Sequence, residues 1–516
     1  MLPTDPQEIH SLILALKSSS ACGADQIPVS VVKSVAGYIS FPLASIINHS
    51  VQLGVFPNLL KVAKVVPIFK GGDKFSIANY RPISLLNTFS KIYEKFFLKR
   101  LQIFLDKHSI LYDGQFGFRK NRSTQYALAS FLDYVTEALD RNEHVLSLFI
   151  DLSKAFDTLD HSLLLRKLYN YGIRGIAYDF IKDYLSNRTQ YVELNGVSSD
   201  LLTISCGVPQ GSILGPVLFL LYINDIYTCS KLLKFFLFAD DTTIVFSSKD
   251  LPTLFFLLND ELLLLSDWFA SNKLSLNVSK SNFIVFNHNN RELDNLDLFL
   301  DGKKINRART SKFLGVILDD NLSWHSHVSF VEKKLSSANF IIRKIRHKIN
   351  QKTSLMLYDT LILPHLMYCS LNWGNTYKTY TLNIIRLQKR ALRLCTVRTN
   401  LNTVELFAVT QRLPFVHLHN FQVALTVFKY LHNELALPKC ISSLFKKIPD
   451  IHLHHTRSVD GMSLHTHFGR LNVRKNSLKI CAPLVWNKIP PRIRQILNLS
   501  TFKKHYKTFL LSSILS

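Results

Sequence analysis

The chain has 516 residues, 47% of them apolar, enough to build cores for two to four structural units and too many for a disordered polymer. Lysine and arginine number 62 against 37 acidic residues; the net charge of +25 favours a polyanionic partner over an acidic small molecule, nucleic acid ahead of a membrane surface. Seven scattered cysteines, none in Cys-x-x-Cys spacing, argue against a zinc or dithiol redox site and predict reduced, mostly buried thiols. The first residues place Asp5 and Glu8 beside a short apolar run, which is not a signal peptide. The longest apolar stretches, Ile213–Ile223 among them, are too short for a membrane span. The expectation is an intracellular protein of the nucleus or cytoplasm, without membrane contact and with no recognisable targeting segment.

In chain order, residues 1–50 read as a helical extension, with helices over 7–18 and Pro28–Leu53 and a break at Gly54 and Pro57. Residues 61–70 form a strand closed by Gly71-Gly72-Asp73, and ANYRPISLL returns as its hairpin partner. Lys70 and Arg81 flank that turn. Arginine's planar fork and lysine's point charge suit a triphosphate, although two solvated cations beside a turn are the plainer reading. A helix over 88–107 offers Ile92, Phe96, Leu101, Phe104 and Leu105 to a core. The loop QFGFRKNRST then carries Arg119, Lys120 and Arg122 before a helix that runs to about residue 140. Those cations suit a phosphate backbone, or solvate a helix start capped by Ser123.

A strand over Val145–Ile150 ends in Asp151, and Asp157 falls in what reads as a helical first turn with a capping role. The Gly/Pro-dense segment Gly207–Pro216 predicts a loop that lets backbone approach a ligand and presents the amide of Gln210. In FLFADDTTIVF, two apolar runs meet at Asp240-Asp241, the turn of a buried hairpin. Adjacent carboxylates there share a proton or bind a cation, unless the turn is simply solvated. Mg²⁺ takes carboxylate oxygens while keeping waters and substrate phosphates as its other ligands. Asp151 with Asp240 is therefore the expected metal cradle. Two ions held about 4 Å apart activate a primer 3′-hydroxyl and neutralise departing pyrophosphate. After a helix over 254–272 comes Lys280, a candidate general acid for that leaving group or an ordinary surface lysine before a strand. Residues 311–324 read as a hairpin whose Asp319-Asp320 is a solvated turn and not a second metal site.

Taken in order, PIFKGGD and NYRPISLL, QFGFRKNRST, FIDLSKAFD, GVPQGSILGPVLFLLYINDI, FADDT, LNVSKS and FLGVILD resemble the reverse-transcriptase motifs of jockey-like non-LTR (LINE-type) retrotransposons. The resemblance covers roughly residues 50–320 and more loosely the rest. It implies an α+β right-hand polymerase with fingers, an antiparallel-sheet palm, a helical thumb and a mostly helical C-terminal extension. The divisions it suggests are a helical extension over 1–50, fingers and palm over 51–318, a thumb-like basic region over 319–425 and an extension over 426–516. It implies an RNA-directed DNA polymerase, a nucleotidyltransferase that uses two Mg²⁺ ions, with Mn²⁺ as substitute. Its partners would be an RNA template, a DNA or RNA primer and dNTPs. Asp151, Asp240 and Asp241 would be the catalytic carboxylates, the first two dominating metal binding, with Lys280 beside them. Phe156 falls where such enzymes set an aromatic ring against the sugar C2′, which excludes ribonucleotides. Lys70, Arg81, Gln210 and Gly211 match dNTP-contacting positions, and Arg119 a position near the template. Ser281 departs from the usual threonine after the motif lysine, with little expected effect because the lysine carries the charge.

Downstream, 331–352 carries Lys333, Lys334, Arg343, Lys344, Arg346, Lys348 and Lys352 against Glu332 alone, with Ala338, Ile342, Ile345 and Ile349 at helical spacing. Over 384–394, Arg386, Lys389, Arg390 and Arg393 share one face opposite Ile384, Leu387, Ala391 and Leu394. Such faces, set after the palm motifs, resemble a thumb that holds template and primer through their phosphates, Lys344 included. His452, His454, His455, His465 and His467 lack cysteine partners at zinc spacing, so RNA contact or a polar edge is preferred to a metal site. A tail helix over 500–511 turns Phe502, Tyr506, Phe509 and Leu510 inward. The endonuclease that such elements carry upstream is expected from another chain or lost, and no oligomeric state follows from the residues. A catalytically idle nucleic-acid-binding remnant is the alternative; an RNA-dependent RNA polymerase conflicts with Phe156.

Overall fold

The computed structural model describes residues 2–286, 296–396, 400–432, 437–450 and 462–515. They form two compact units, one built from Met1–Phe118, Asp151–Lys231 and Leu262–Asn277, the other from Arg119–Ile150, Leu232–Glu261 and Val278–Ser516. In chain order the first strands are β1 (Val62–Phe69), β2 (Tyr80–Leu85), β3 (His144–Ile150), β4 (Thr189–Leu194), β5 (Val197–Ser198), β6 (Leu202–Thr203) and β7 (Lys234–Phe238). After them come β8 (Asp241–Ser248), β9 (Asn282–Phe286), β10 (Phe299–Leu300), β11 (Lys303–Lys304), β12 (Asn306–Arg307), β13 (Thr310–Phe313) and β14 (Val316–Asp319). Among the described residues no helix is long and apolar enough to cross a membrane.

In the first unit the sheet runs β2-β1-β4-β5, with β6 also on β4. β1 and β2 pair antiparallel from Lys64↔Leu85 to Phe69↔Tyr80, the hairpin expected of a Gly-Gly turn. Gly71 and Gly72 both take positive φ, +129° and +92°, which a side chain would oppose. Helix Thr88–Lys107 buries Ile92, Phe96, Leu101 and Leu105. Phe97 stacks on Phe180 at 4.7 Å, and the ring of Phe56 meets Phe180 and Tyr184 edge-on. Helix Gly215–Ile223 is apolar all round and correspondingly buried. The helix expected over 7–18 is Pro6–Leu14, started by the Asp5 carboxylate accepting from the Glu8 amide. It ends before the Lys17–Ser20 stretch, which has no apolar residue to continue the buried face. The helix expected over Pro28–Leu53 is two, Val29–Ser34 and Ala36–Leu53, and Gly54 at φ +67° closes the second.

In the second unit the sheet order is β12-β9-β3-β8-β7, with β3 antiparallel to both β8 and β9. β3 is buried along almost its whole length, as a central strand covered on both faces must be. Helix Thr124–Asp140 sets Phe131 among Phe149, Phe236, Phe286 and Phe313, at centroid distances of 5.1–6.3 Å. The basic stretch 331–352 is not one helix: His325–Ile345 ends in a short 3-10 turn, Ile349 is extended, and Gln351–Leu361 begins anew with Asn350 capping Thr353. Helix Lys378–Cys395 packs on His325–Ile345, and the Asn339 amide donates to the Leu387 carbonyl. Its core face is centred on Ile384, Gln388, Ala391 and Cys395, with Leu387 and Leu394 half-buried. Gln388 is satisfied there by the Tyr358 hydroxyl, the Leu413 carbonyl and the Phe415 amide.

The tail belongs to the same core. Phe502 and Tyr506 are buried on helix Leu499–Leu515, with Phe502 stacked on Phe428 at 4.5 Å. Arg474 is buried against helix Thr124–Asp140, where its guanidinium donates to Asp133, Thr136 and Glu137. Of the seven cysteines only Cys369, Cys395 and Cys481 are buried, fewer than expected.

Candidate active site

Within the second unit, β7 and β8 are joined by a two-residue turn, Ala239-Asp240, with Phe238 paired to Asp241. Ala239 is buried at φ +56°, a left-handed conformation that costs a non-glycine residue about 1–3 kcal/mol. Asp240 is half-buried and Asp241 exposed, above the buried pair Thr242 and Thr243. The register Ile150↔Thr242 ends β3 beside this turn, and Asp151 is the next residue of the chain. β9 begins at the same end, with Asn282 opposite Phe149, and the exposed Lys280 lies two residues before it. Register thus gathers Asp240, Asp241 and Lys280 at one end of one sheet.

Within the first unit, Asp151 is half-buried and tied to the segment Ser275–Asn277. The Asn277 side-chain amide donates to its Oδ2 at 2.9 Å and the Asn277 backbone amide to its carbonyl at 2.9 Å. Asn277 lies in the LNVSKS motif, yet only its contact marks it as a partner of Asp151.

Residues 151–158 form turns and no helix, so Asp157 is not a helix-capping residue. That part belongs to Asp160, whose carboxylate accepts from the Leu163 amide and the Lys273 ammonium. Asp157 turns instead to Gln210, whose Nε2 lies 2.8 and 3.0 Å from its two oxygens. Phe156 stacks on Phe219 at 4.4 Å and meets Phe118 edge-on at 6.4 Å, so its ring is backed on two sides. Gly211 has φ +132°, and a Cβ there would lie 2.5 Å from the Ser84 carbonyl oxygen. Glu94, fully buried on helix Thr88–Lys107, accepts from the amides of Ile213 and Leu214 at 2.5 and 3.1 Å and anchors the start of helix Gly215–Ile223. Burial pushes its carboxyl up, opposed by the Arg188 guanidinium. A lone glutamate in an amphipathic helix gave no sign of this.

The exposed Lys70 and Arg81 lie on the β1–β2 hairpin, with Arg81 opposite Ile68 and the Lys70 amide bonded to the Asn79 carbonyl. Arg119 and Arg122 are half-buried and Lys120 exposed, in a loop kept tight by positive φ at Phe118 and Asn121. Arg122, Tyr368 and Lys429 line a cleft of about 510 Å³ at the start of helix Thr124–Asp140. Arg386, Arg390 and Arg393 are exposed on one helix and Lys389 is half-buried beside them. Lys344 lies on the neighbouring helix with its ammonium 4.6 Å from the Phe340 ring. Asp319 is not the solvated turn residue expected: it is buried and accepts from the amides of Ser323 and Trp324. His452, His454 and His455 lie outside the described residues, and the rings of His465 and His467 meet at 4.9 Å.

Residues 69–318 match the family described as reverse transcriptase (RNA-dependent DNA polymerase). They are a reverse transcriptase domain. Every site residue named above from Lys70 to Lys280 lies within it, whereas Lys344 and the Arg386–Arg393 face lie beyond. The chain is 27% identical over 405 residues to a probable RNA-directed DNA polymerase from transposon X-element of Drosophila melanogaster. It is 28% identical over 399 residues to the RNA-directed DNA polymerase from mobile element jockey of the same species. These alignments cover 76% and 75% of this chain but 44% and 43% of the relatives, so the chain spans less than half their length. Among solved structures it is similar to telomerase from Candida albicans in complex with a TWJ fragment of telomeric RNA, with 13% identity and a TM-score of 0.39 over 70% of this chain and 68% of the other. The mixed helix and sheet content agrees with a right-hand polymerase fold.

Proposed function

We propose that the chain copies RNA into DNA from dNTPs as the polymerase of a non-LTR retrotransposon, its palm and fingers within residues 51–318 and a thumb within 319–425. The observation that carries this reading is the β7–β8 turn: two adjacent carboxylates at the sheet end where β3 hands the chain to Asp151. Among the described residues no three carboxylate, imidazole or thiol groups are gathered closely enough to hold a metal unaided. The adjacent carboxylates of Asp240 and Asp241 fit Mg²⁺, which is bound through one or two carboxylates and completed by water and substrate phosphates. Asp151, Asp240 and Asp241 would hold two such ions, which when bound lower the pKa of the primer 3′-hydroxyl and neutralise charge on the leaving pyrophosphate.

The chain's own groups supply the rest. Lys70 and Arg81 grip the triphosphate, and Lys280 offers a proton or its charge to the pyrophosphate. Phe156, its ring braced by Phe219 and Phe118, stands against the sugar C2′ and rejects a 2′-hydroxyl by contact. Gln210 and Gly211 line the nucleotide pocket, where glycine lets the backbone come close. Arg119, Lys120 and Arg122 contact the template, and the exposed face of Arg386, Lys389, Arg390 and Arg393, with Lys344 beside it, holds template and primer phosphates.

Primer extension on an RNA template with dNTPs and Mg²⁺ tests this reading, comparing the wild-type chain with the Asp240→Asn/Asp241→Asn variant. Extension by wild type alone is expected. Absence of extension by wild type while template–primer still binds would overturn it.

A further inference from the structure

Asp157 has no part in the chemistry above, yet its carboxylate is half-buried and engaged by a residue 53 positions away in the chain. A carboxylate only accepts hydrogen bonds, so the group of Gln210 facing it is the NH₂, donating at 2.8 and 3.0 Å to Oδ1 and Oδ2. The side chain of Gln210 therefore has its orientation set by Asp157.

The backbone repeats the same connection. The Val208 amide donates to the Phe156 carbonyl at 2.9 Å and the Gly207 amide to the Leu159 carbonyl at 2.7 Å. Gly207, at φ +80°, lies so close that a Cβ would fall 2.5 Å from the Asp157 carbonyl oxygen. On its far side the loop is fixed by the Ser84 amide donating to the Gln210 carbonyl at 2.8 Å. The turn that carries Phe156 and the loop 207–211 are thus laced together, and the Asp157–Gln210 pair adds a carboxylate contact to the lacing, beside the His161 ring 2.7 Å from the Gly207 carbonyl. Burial pushes the Asp157 carboxyl up, and the Gln210 amide opposes it, as a bond that favours the ionised form should.

We propose that Asp157 is a positioning residue for sugar selection: by clasping Gln210 it fixes the nucleotide-pocket loop against the turn that carries Phe156. It touches no substrate in this scheme. Its loss lets Gln210 and the Phe156 turn move independently, so the pocket discriminates less well between a deoxyribose and a ribose. The inference rests on the reading of Phe156 and Gln210 as nucleotide-pocket residues.

The test uses the full chain in primer extension, with KM and kcat measured for a dNTP and for the matching rNTP. Variants are Asp157→Ala, the gentler Asp157→Asn, Gln210→Ala, the Asp157→Ala/Gln210→Ala double, and Phe156→Ala. Loss of a charge-assisted bond of this kind corresponds to about tenfold. Asp157→Ala should therefore lower the dNTP/rNTP ratio of kcat/KM about tenfold, with template–primer Kd unchanged. Asp157→Asn, which keeps one acceptor oxygen, should fall between, and should carry the test if the alanine variant does not fold. The double variant should be no worse than the worse single one, because both remove the same contact. A merely structural role would lower kcat and folded yield together and leave the ratio alone. Unchanged selectivity in the Asp157 variants alongside altered selectivity in Phe156→Ala would overturn this proposal and leave the pocket reading standing. Unchanged selectivity in Phe156→Ala would remove both.

Discussion

Glu94 is the group whose removal should be most costly, and its surroundings set the size of the effect. It is fully buried, accepts from the amides of Ile213 and Leu214, and lies in the field of the Arg188 guanidinium, itself 1% exposed. Arg188 has the Tyr184 carbonyl at 3.2 Å from Nη1, while its Nε and Nη2 have no hydrogen-bond partner among the described residues. Glu94→Ala leaves two buried amides unsatisfied, at about 1–3 kcal/mol each. The two amides together set a loss of about 2–6 kcal/mol. That is a large part of the roughly 5–15 kcal/mol typical of a folded domain. Glu94→Gln keeps the shape and one acceptor oxygen and should lose about half as much. A chain of two units need not unfold in one step, so the assay is urea titration followed by hydrogen exchange resolved to residues 207–223. The alanine variant should exchange the Ile213 and Leu214 amides ahead of the rest. A loss below about 1 kcal/mol, or unchanged protection at those two amides, would refute the assignment of Glu94 as anchor of this loop.

Three further outcomes follow from the same structure. Arg474→Met strands the half-buried Asp133 carboxylate, so a stability loss of about 2–4 kcal/mol is expected by denaturant titration; a neutral variant would show that the tail does not brace helix Thr124–Asp140. The Glu8 carboxyl is held down at about 2 by Arg100, with Lys99 and Thr4 assisting against burial. A depressed carboxylate contributes stability above its ordinary value and loses it on protonation, so docking of helix Pro6–Leu14 should weaken as pH falls from 4.5 toward 2. Glu8→Gln should flatten that dependence in pH-resolved hydrogen exchange, and an unaltered profile would count against the ion pair. Charge reversal at Arg386, Lys389, Arg390 and Arg393 should weaken template–primer binding and reduce the slope of log K against log salt by about 0.9 per lost phosphate contact. Equal slopes in variant and wild type would place the duplex elsewhere.

What the sequence by itself determined is local. The Thr88–Lys107 helix, the Gly-Gly hairpin of β1 and β2, the strand before Asp151 and the Asp240-Asp241 turn were all readable, because each depends on periodicity or turn chemistry among neighbouring residues. The order of motifs then pointed to the reverse transcriptase domain over 69–318. Tertiary structure decided where the isolated polar residues go. Asp157 read as a capping residue and clasps Gln210; Asp319 read as a solvated turn residue and holds two backbone amides; Glu94, Gln388 and Arg474 drew no notice and are buried at the centre of hydrogen-bond networks. The reason is physical. A buried charge or amide must find a partner, but which one it finds is set by the packing of segments distant in the chain, and no pattern of neighbouring residues encodes that choice.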